Sequence, residues 1–290
     1  MRLSLGTVQL GVAYGVNNSV GALSDEQVEA VLEAAVDSGF TMVDTSIDYG
    51  LAIERIGRFL RRRPESFEVV GKFYGALSAN QIRTLKERCA PLIDFDYTLL
   101  WTYAGGQDIA SLDPSLADGV TVYTVEEAEA VNPAFGMVQV PASVLDGRMD
   151  AEIVKLQASG AQVLVRSLLL QGLIASDPDV GPVGHHRCPE LPELARPYLK
   201  RLRILADMYA MDVVEIAVRW VWEIGPDVAI VGAETPEQAR AIGEAWQRGP
   251  LPGSLTDRLR ELRVGIPEVV ISPIMWDQHY DFTVTEPDES

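Results

Sequence analysis

Eight short runs in this chain read as strands, most of them apolar along their length rather than on alternate residues: Leu3–Val8, Phe40–Asp44, Glu68–Lys72, Tyr97–Trp101, Val120–Tyr123, Gly136–Val140, Gln162–Arg166 and Val228–Gly232. A strand with one wet face alternates, whereas a parallel strand covered on both faces does not. The segments between the runs read mostly as helices. Ser24 with Gln27 three residues on resembles a capping box, and Val28, Val31, Leu32, Ala35 and Val36 then share one helical face up to Gly39. Thr124–Val131, Leu199–Tyr209, Val213–Glu223 and Thr235–Trp246 read as further helices, the last with Pro236 at its first position. Strand–helix alternation of this kind closes into a (β/α)₈ barrel or opens into a doubly wound sheet. The 290 residues are an ordinary length for one barrel, and the barrel is the expected architecture. Residues 1–263 are expected to form that single domain and 264–290 a C-terminal tail.

Composition excludes several functions. The net charge of −18 opposes binding to a phosphate backbone or to an anionic membrane. The expected partner is a small-molecule substrate, with no nucleic acid and no membrane. The acidic surface sets no subunit number. Cys89 and Cys188 form no disulfide framework and no metal set, which fits a reducing compartment. No apolar run approaches the roughly 20 residues of a transmembrane span, and the start of the chain lacks a secretory apolar core. A cytoplasmic protein is expected.

In a barrel, chemistry gathers at the C-terminal ends of the strands. Asp44 ends the second apolar run and Lys72 the third, and an ionisable group there needs a partner. The two can pair across adjacent strands, either as a structural ion pair or as part of a site. Tyr49, five residues after Asp44, favours a site. A lysine ammonium near a phenol is expected to lower its pKa and make it a proton donor to a carbonyl oxygen.

Six segments carry a family resemblance that runs from about residue 3 to 242. They are LGTVQLG (5–11), FTMVDTSIDYG (40–50), VVGKF (69–73), VQVPASVLDGR (138–148), VRSLLLQGLI (165–174) and VRWVWEIGPDVAIVGAETPEQ (218–238). In this order they resemble the aldo/keto reductases. The resemblance implies a (β/α)₈ barrel and an oxidoreductase that passes a hydride between a nicotinamide cofactor and a small carbonyl or sugar-like metabolite. It implies Tyr49 as general acid, Lys72 beside it and Asp44 as the anchor of Lys72. The family's fourth catalytic residue is a histidine. Trp101 stands at that position here, or Thr102 if the match shifts by one. An indole donates one hydrogen bond, here expected to reach a substrate oxygen, but relays no proton.

The same resemblance implies an extended NADP or NAD. Gly6 and Thr7 lie in the first-strand motif, and Gln139 would hold the carboxamide. Arg166 would stack on the nicotinamide, and Ser167, Leu169 and Gly172 would wrap the pyrophosphate. Gly232, Thr235 and Gln238 would line the adenosine end. Glu234 adds negative charge there, and Gln238 replaces a frequent arginine, which weakens a preference for the phosphorylated cofactor. Thr121-Val122 replace a Ser-Asn pair, so one carboxamide contact is expected to be missing.

The remaining motifs are weak. His185-His186-Arg187-Cys188 matches no zinc spacing, and no metal is expected. Arg61-Arg62-Arg63 reads as a solvated helix end, and Trp220 and Trp222 read as core. The stretches 175–197 and 264–290 read as irregular, with Trp276, His279 and Tyr280 as candidate substrate contacts. Two other readings compete with the reductase: a redox-neutral enzyme (dehydratase, isomerase or cyclase) using Tyr49 and Lys72, and a non-catalytic binding protein.

Overall fold

The structure, a computed structural model, describes residues 1–18, 21–102, 108–182 and 188–276. Its strands are β1 (Arg2–Gly6), β2 (Met42–Ser46), β3 (Glu68–Tyr74), β4 (Tyr97–Trp101), β5 (Gly119–Thr121), β6 (Met137–Pro141), β7 (Gln162–Arg166) and β8 (Val228–Gly232). They pair in chain order, all parallel, and β8 returns to β1 through Arg2↔Val228 to Gly6↔Gly232. The sheet closes, so the chain is a (β/α)₈ barrel and not an open sheet.

Among the described residues the helices are α1 (Asp25–Asp37), α2 (Ala52–Leu60), α3 (Ala79–Cys89), α4 (Val125–Glu129), α5 (Asp150–Ala158), α6 (Leu191–Met208), α7 (Val213–Ile224), α8 (Pro236–Gln247), α9 (Gly253–Leu262) and α10 (Glu268–Ile271). The Ser24–Gln27 capping box opens α1, and Thr235 caps α8 ahead of Pro236. No helix among these is long and apolar enough to cross a membrane.

The first strand ends at Gly6 rather than Val8, the second runs from Met42 to Ser46 rather than ending at Asp44, and the third runs on to Tyr74, and three further stretches differ from the sequence reading. The fifth strand stops at Thr121 rather than Tyr123. The Glu127 carboxylate accepts the backbone N–H of Tyr123 (2.5 Å) and of Thr124 (3.3 Å), and this capping of α4 ends the ladder early. Within 175–197, helix α6 already begins at Leu191. Leu191, Ala195, Leu199, Leu202 and Leu205 form its buried face. Pro192 sits in the first turn, where a missing donor is harmless, and Pro197 gives up one interior bond to that packing. After residue 263, α10 and a 3₁₀ turn at Pro273–Trp276 pack onto α6, α7 and α9. Val270 and Trp276 are fully buried there, and the Trp276 indole donates to the Val269 carbonyl at 2.5 Å.

The barrel has an apolar plug. Met42, Val70, Leu99, Met137, Leu164, Val228 and Ile230 form one buried cluster inside it. Larger clusters lie outside, between strands and helices and around α6, α7 and α9. The plug fixes what lies above it, because side chains two residues apart on a strand share a face.

Candidate active site

Two residues beyond the plug, the inward positions become polar or aromatic. Met42 is followed by Asp44, Val70 by Lys72, Leu99 by Trp101, Met137 by Gln139 and Leu164 by Arg166. Gly119 on β5 is followed by Thr121. These side chains border a cavity of about 450 Å³ at the C-terminal ends of the strands. Of the catalytic and cofactor residues expected from sequence, all but Thr235 line it, whereas Trp276, a candidate substrate contact, is packed away from it. Thr235 instead accepts the Gln238 backbone N–H as the cap of α8.

One wall is ionic. Asp44 and Lys72 are each at most 4% exposed, and the ammonium lies 2.5 Å from Asp44 Oδ1. Asp44 Oδ2 accepts from the Gln139 amide at 2.7 Å, and the Asp44 backbone carbonyl accepts from the Thr7 hydroxyl at 2.8 Å. A buried pair is stable only with such supporting bonds. Lys72 Nζ also lies over the Tyr49 ring, 5.1 Å from its centroid.

Tyr49 is carried by the turn after β2, and two glycines seat that turn. A Cβ on Gly11 would fall 1.6 Å from the Tyr49 carbonyl oxygen, so no other residue fits there. Gly50 adopts φ +51°, and a Cβ there would meet the Gly11 carbonyl at 2.7 Å. The expected fall in the Tyr49 pKa is reversed. Burial raises it well above the ordinary phenol value, and the charges of Asp44, Tyr123 and Asp48 add to this, against relief from Arg166. Tyr49 is therefore held as a neutral O–H donor.

Asp48 was not singled out from sequence. It is 8% exposed, and burial lifts its carboxyl to about 6, against hydrogen bonds from Tyr74 and Ser46 and the charge of Lys72. An acid one residue before the tyrosine, on a loop rooted in a buried strand, was the available signal.

The opposite wall is aromatic and neutral. Trp101 stacks on Tyr74 at 5.2 Å and 11° between planes. Its indole N–H donates to the hydroxyl of Tyr123 rather than being held for a substrate oxygen as expected. The Arg166 guanidinium lies 4.3 Å over the Tyr123 ring and donates to the Val122 carbonyl (3.0 Å) and the Ser167 hydroxyl (3.3 Å). Tyr123 was also missed as a site residue. It stands two positions past inward-facing Thr121, where a tyrosine at a strand end reads equally well as core.

The remaining surface suits a long polar ligand. Gln139 Oε1 and Thr121 Oγ1 are buried in the cavity wall without a hydrogen-bond partner. Thr121 keeps the hydroxyl of the serine it replaces, and Val122 offers no side-chain polar group in place of the asparagine. After β7, Ser167, Leu170 and Gln171 all take positive φ (67°, 47° and 55°), followed by Gly172 at 92°. Three non-glycine residues of one loop in the left-handed region hold a conformation that costs backbone energy, which the surrounding packing must offset. Beyond this loop, Gly232 leaves room for the Gln9 amide, whose nitrogen would lie 2.4 Å from a Cβ there. Glu234 borders the cavity with its carboxyl pKa raised by burial and opposed by a hydrogen bond from Asn18. Gln238 Oε1 accepts the Glu234 backbone N–H at 2.7 Å.

Residues 185–187, His279 and Tyr280 lie outside the described residues. Cys188 is buried and free. Among the described residues no cluster of three His, Cys, Asp or Glu could hold a metal. Trp220 is core, stacked under the Arg263 guanidinium, whereas Trp222 is 37% exposed and tilted against Trp246.

A family model described as the aldo/keto reductase family matches residues 2–97 and 117–263. Among solved structures, the chain is similar to the glycerol dehydrogenase of Gluconobacter oxydans, with 20% identity, 92% of this chain and 93% of that one covered, and a TM-score of 0.69. It is similar to an aldo-keto reductase of Bacillus halodurans in its holo form (16% identity, 93% and 94% covered, TM-score 0.70). It is also similar to an aldo-keto reductase of Klebsiella pneumoniae in complex with NADPH (18%, 93% and 93%, 0.66). One curated sequence, a D-threo-aldose 1-dehydrogenase of a Pseudomonas species, is 43% identical over 67 residues. That match spans 22% of this chain and a fifth of the relative's length.

Proposed function

The chain belongs to the aldo/keto reductase family, and from that premise we propose that it is an NAD(P)-dependent oxidoreductase of small carbonyl or sugar-like metabolites, with Tyr49 as the general acid and base. The observation that carries this reading is the placement of Tyr49 beside the buried Asp44–Lys72 pair in one cavity, with the Lys72 ammonium over its ring.

The residues fit a nicotinamide dinucleotide. Gln139 Oε1 and the Thr121 hydroxyl, both buried without a partner, would hold the carboxamide of the nicotinamide. Gly6 and Thr7 floor the site. A planar guanidinium has two faces, and Arg166 offers the one away from Tyr123 to the nicotinamide ring. The strained loop with Ser167, Leu169 and Gly172 wraps the pyrophosphate, and Gly232 and Gln238 line the adenosine end. The carboxylate of Glu234 repels a 2′-phosphate and accepts from a 2′-hydroxyl, which favours NADH. When bound, the reduced nicotinamide supplies a hydride to the carbonyl carbon.

The protein supplies the proton and the field. Tyr49 Oη donates to the carbonyl oxygen and gives up its proton as negative charge develops there, since an alkoxide is a stronger base than a phenolate. The Lys72 ammonium over the ring stabilises the phenolate left behind, and Asp44 holds that ammonium in place. The glycerol and aldose activities of two relatives support polyhydroxylated substrates.

Titration of the purified protein with NADH and NADPH, followed by tryptophan fluorescence and calorimetry, tests the reading. Micromolar binding is expected, with NADH at least as tight as NADPH, and reduction of small aldehydes and ketoses should follow. A folded, nucleotide-free sample that binds neither dinucleotide rejects the oxidoreductase and directs the search to redox-neutral chemistry on Tyr49 and Lys72.

A further inference from the structure

We propose that Gln9 reads a ribose hydroxyl of the dinucleotide: its side-chain oxygen is an oriented acceptor at the ends of β1 and β8, and it takes a hydrogen bond from one of the two ribose rings. The inference rests on the dinucleotide reading above and deepens it.

The Gln9 amide has one orientation. Its nitrogen donates to the Gly6 carbonyl at 2.9 Å and to the Ala233 carbonyl at 3.1 Å. Carbonyls only accept, so the nitrogen faces them and both of its hydrogens are spent. Oε1 is left as the free end of the amide, and among the described residues no donor reaches it. The residue is 5% exposed and lines the cavity, yet Oε1 is not sealed in protein as Gln139 Oε1 is. What access this oxygen has is therefore to the cavity, and a ligand that covers it without a donor loses affinity. The amide is also held in place. Gly6 and Gly232 face each other as the last rung between β1 and β8. A Cβ on Gly232 would lie 2.4 Å from Gln9 Nε2 and 3.0 Å from Oε1, so the amide lies over a bare α-carbon. Its root is a 3₁₀ turn at Val8–Leu10, in which Leu10 is fully buried.

The surroundings select a hydroxyl. Among the described residues that line the cavity, the cations are Lys72, Arg148 and Arg166. Lys72 is paired with Asp44, Arg148 with Asp146 and Glu268, and Arg166 lies over the Tyr123 ring. None of the three stands on β1 or β8. On that side Glu234 adds a carboxylate instead. Acceptors without a cation repel phosphate oxygens and attract X–H donors. A nicotinamide dinucleotide has three kinds of donor: the carboxamide, the adenine amine and the ribose hydroxyls. Gln139 and Thr121 account for the carboxamide in the reading above. The ribose hydroxyls are the donors spread along the middle of the ligand, as Gln9 lies between Thr7 and the Gly232–Gln238 end of the groove.

Calorimetric titration tests this without turnover. The probes are NADH, or NADPH if it binds more tightly, and analogues that each lack one ribose hydroxyl. The unsubstituted protein is expected to bind one analogue about tenfold more weakly than the parent, the scale of one hydrogen bond, and the ring that carries the missing group identifies the ribose. Gln9→Met keeps the volume and removes the acceptor. It is expected to bind the parent about tenfold more weakly than the unsubstituted protein does, and to bind the parent and that one analogue alike. The other analogues should keep the same ratio to the parent in both proteins. A merely structural role would weaken every ligand together and leave all the ratios unchanged. Gln9→Asn, which draws the amide back by one methylene, gives the same readout should the methionine protein fail to fold. Ratios that do not change on substitution overturn the proposal. So does coupling to the adenine amine instead, seen as a hypoxanthine dinucleotide that binds the substituted and unsubstituted proteins alike. If the unsubstituted protein binds no dinucleotide, the oxidoreductase reading falls and this inference with it. If it binds one and the ratios are unchanged, this inference alone falls.

Discussion

The two walls of the cavity are built on opposite principles. The β2–β3 wall is ionic: Asp44 and Lys72 are buried together, Gln139 donates to the other carboxylate oxygen of Asp44, and Thr7 donates to the Asp44 backbone carbonyl. The β4–β5 wall is neutral: Trp101, Tyr74 and Tyr123 meet through one stack and one hydrogen bond. A buried ion pair is fixed by strong, directional forces and fails abruptly when either partner is lost. An aromatic wall is fixed by area and shape, and it tolerates the loss of one bond at a cost of about 1 kcal/mol. The same pocket therefore has a brittle side that sets the charge and a forgiving side that shapes and tunes.

The sharpest way to break this comparison acts on turnover. Tyr49→Phe is expected to lower kcat for carbonyl reduction by about 10²–10⁴-fold, the range for a positioned general acid, with dinucleotide affinity retained. Stopped-flow and equilibrium titrations on the same sample separate the two. Retained turnover would remove Tyr49 from the reaction and leave the ionic wall a structural device.

Stability comes next. Asp44→Ala leaves the Lys72 ammonium buried and alone, which should lower unfolding stability by about 3–5 kcal/mol in urea titrations. Trp101→Phe on the opposite wall should lower it by only about 1 kcal/mol. Equal losses at the two positions would erase the distinction between the walls.

How much of this was legible follows the same division. Asp44 and Lys72 stood out because a charge at the end of an apolar strand is expensive without a partner, and two on neighbouring strands answer each other. Tyr49 followed from its place after Asp44. The aromatic wall gave no comparable signal, because tryptophan and tyrosine at strand ends read equally well as core. Trp101 was found only through family resemblance, and Tyr123 was read as the last residue of a strand. The structure ends that strand at Thr121, where the Glu127 carboxylate takes over the backbone, and so leaves Tyr123 in the cavity wall. Boundaries set by a side chain reaching back from the next helix are invisible to periodicity. The (β/α)₈ closure was legible for the opposite reason: most of the eight strands carry the apolar pattern of double burial. The start of α6 was obscured by Pro192 and Pro197, which resembled loop punctuation until the buried Leu191, Ala195 and Leu199 face outweighed them.

The smallest effect tests how the ionic wall meets its surroundings. Asp48 has its carboxyl raised from an ordinary 3.8 to about 6 in the folded protein. The folded state therefore binds a proton that the unfolded state has released between those values, and stability falls as pH rises through that window. Asp48→Asn removes the ionisable group while keeping a side chain that can bond Ser46 and Tyr74. Its advantage over the unsubstituted protein should be absent below about pH 4, appear as pH rises toward 6, and level off above that at about 1–3 kcal/mol, the scale set by a shift of this size. Thermal melts of both proteins from pH 4 to 8 read the difference directly. A difference in melting temperature that does not vary with pH would mean that Asp48 is charged and well solvated in the fold. The ionic wall would then extend to the loop that carries Tyr49, with Lys72 shared between two carboxylates rather than held by Asp44 alone.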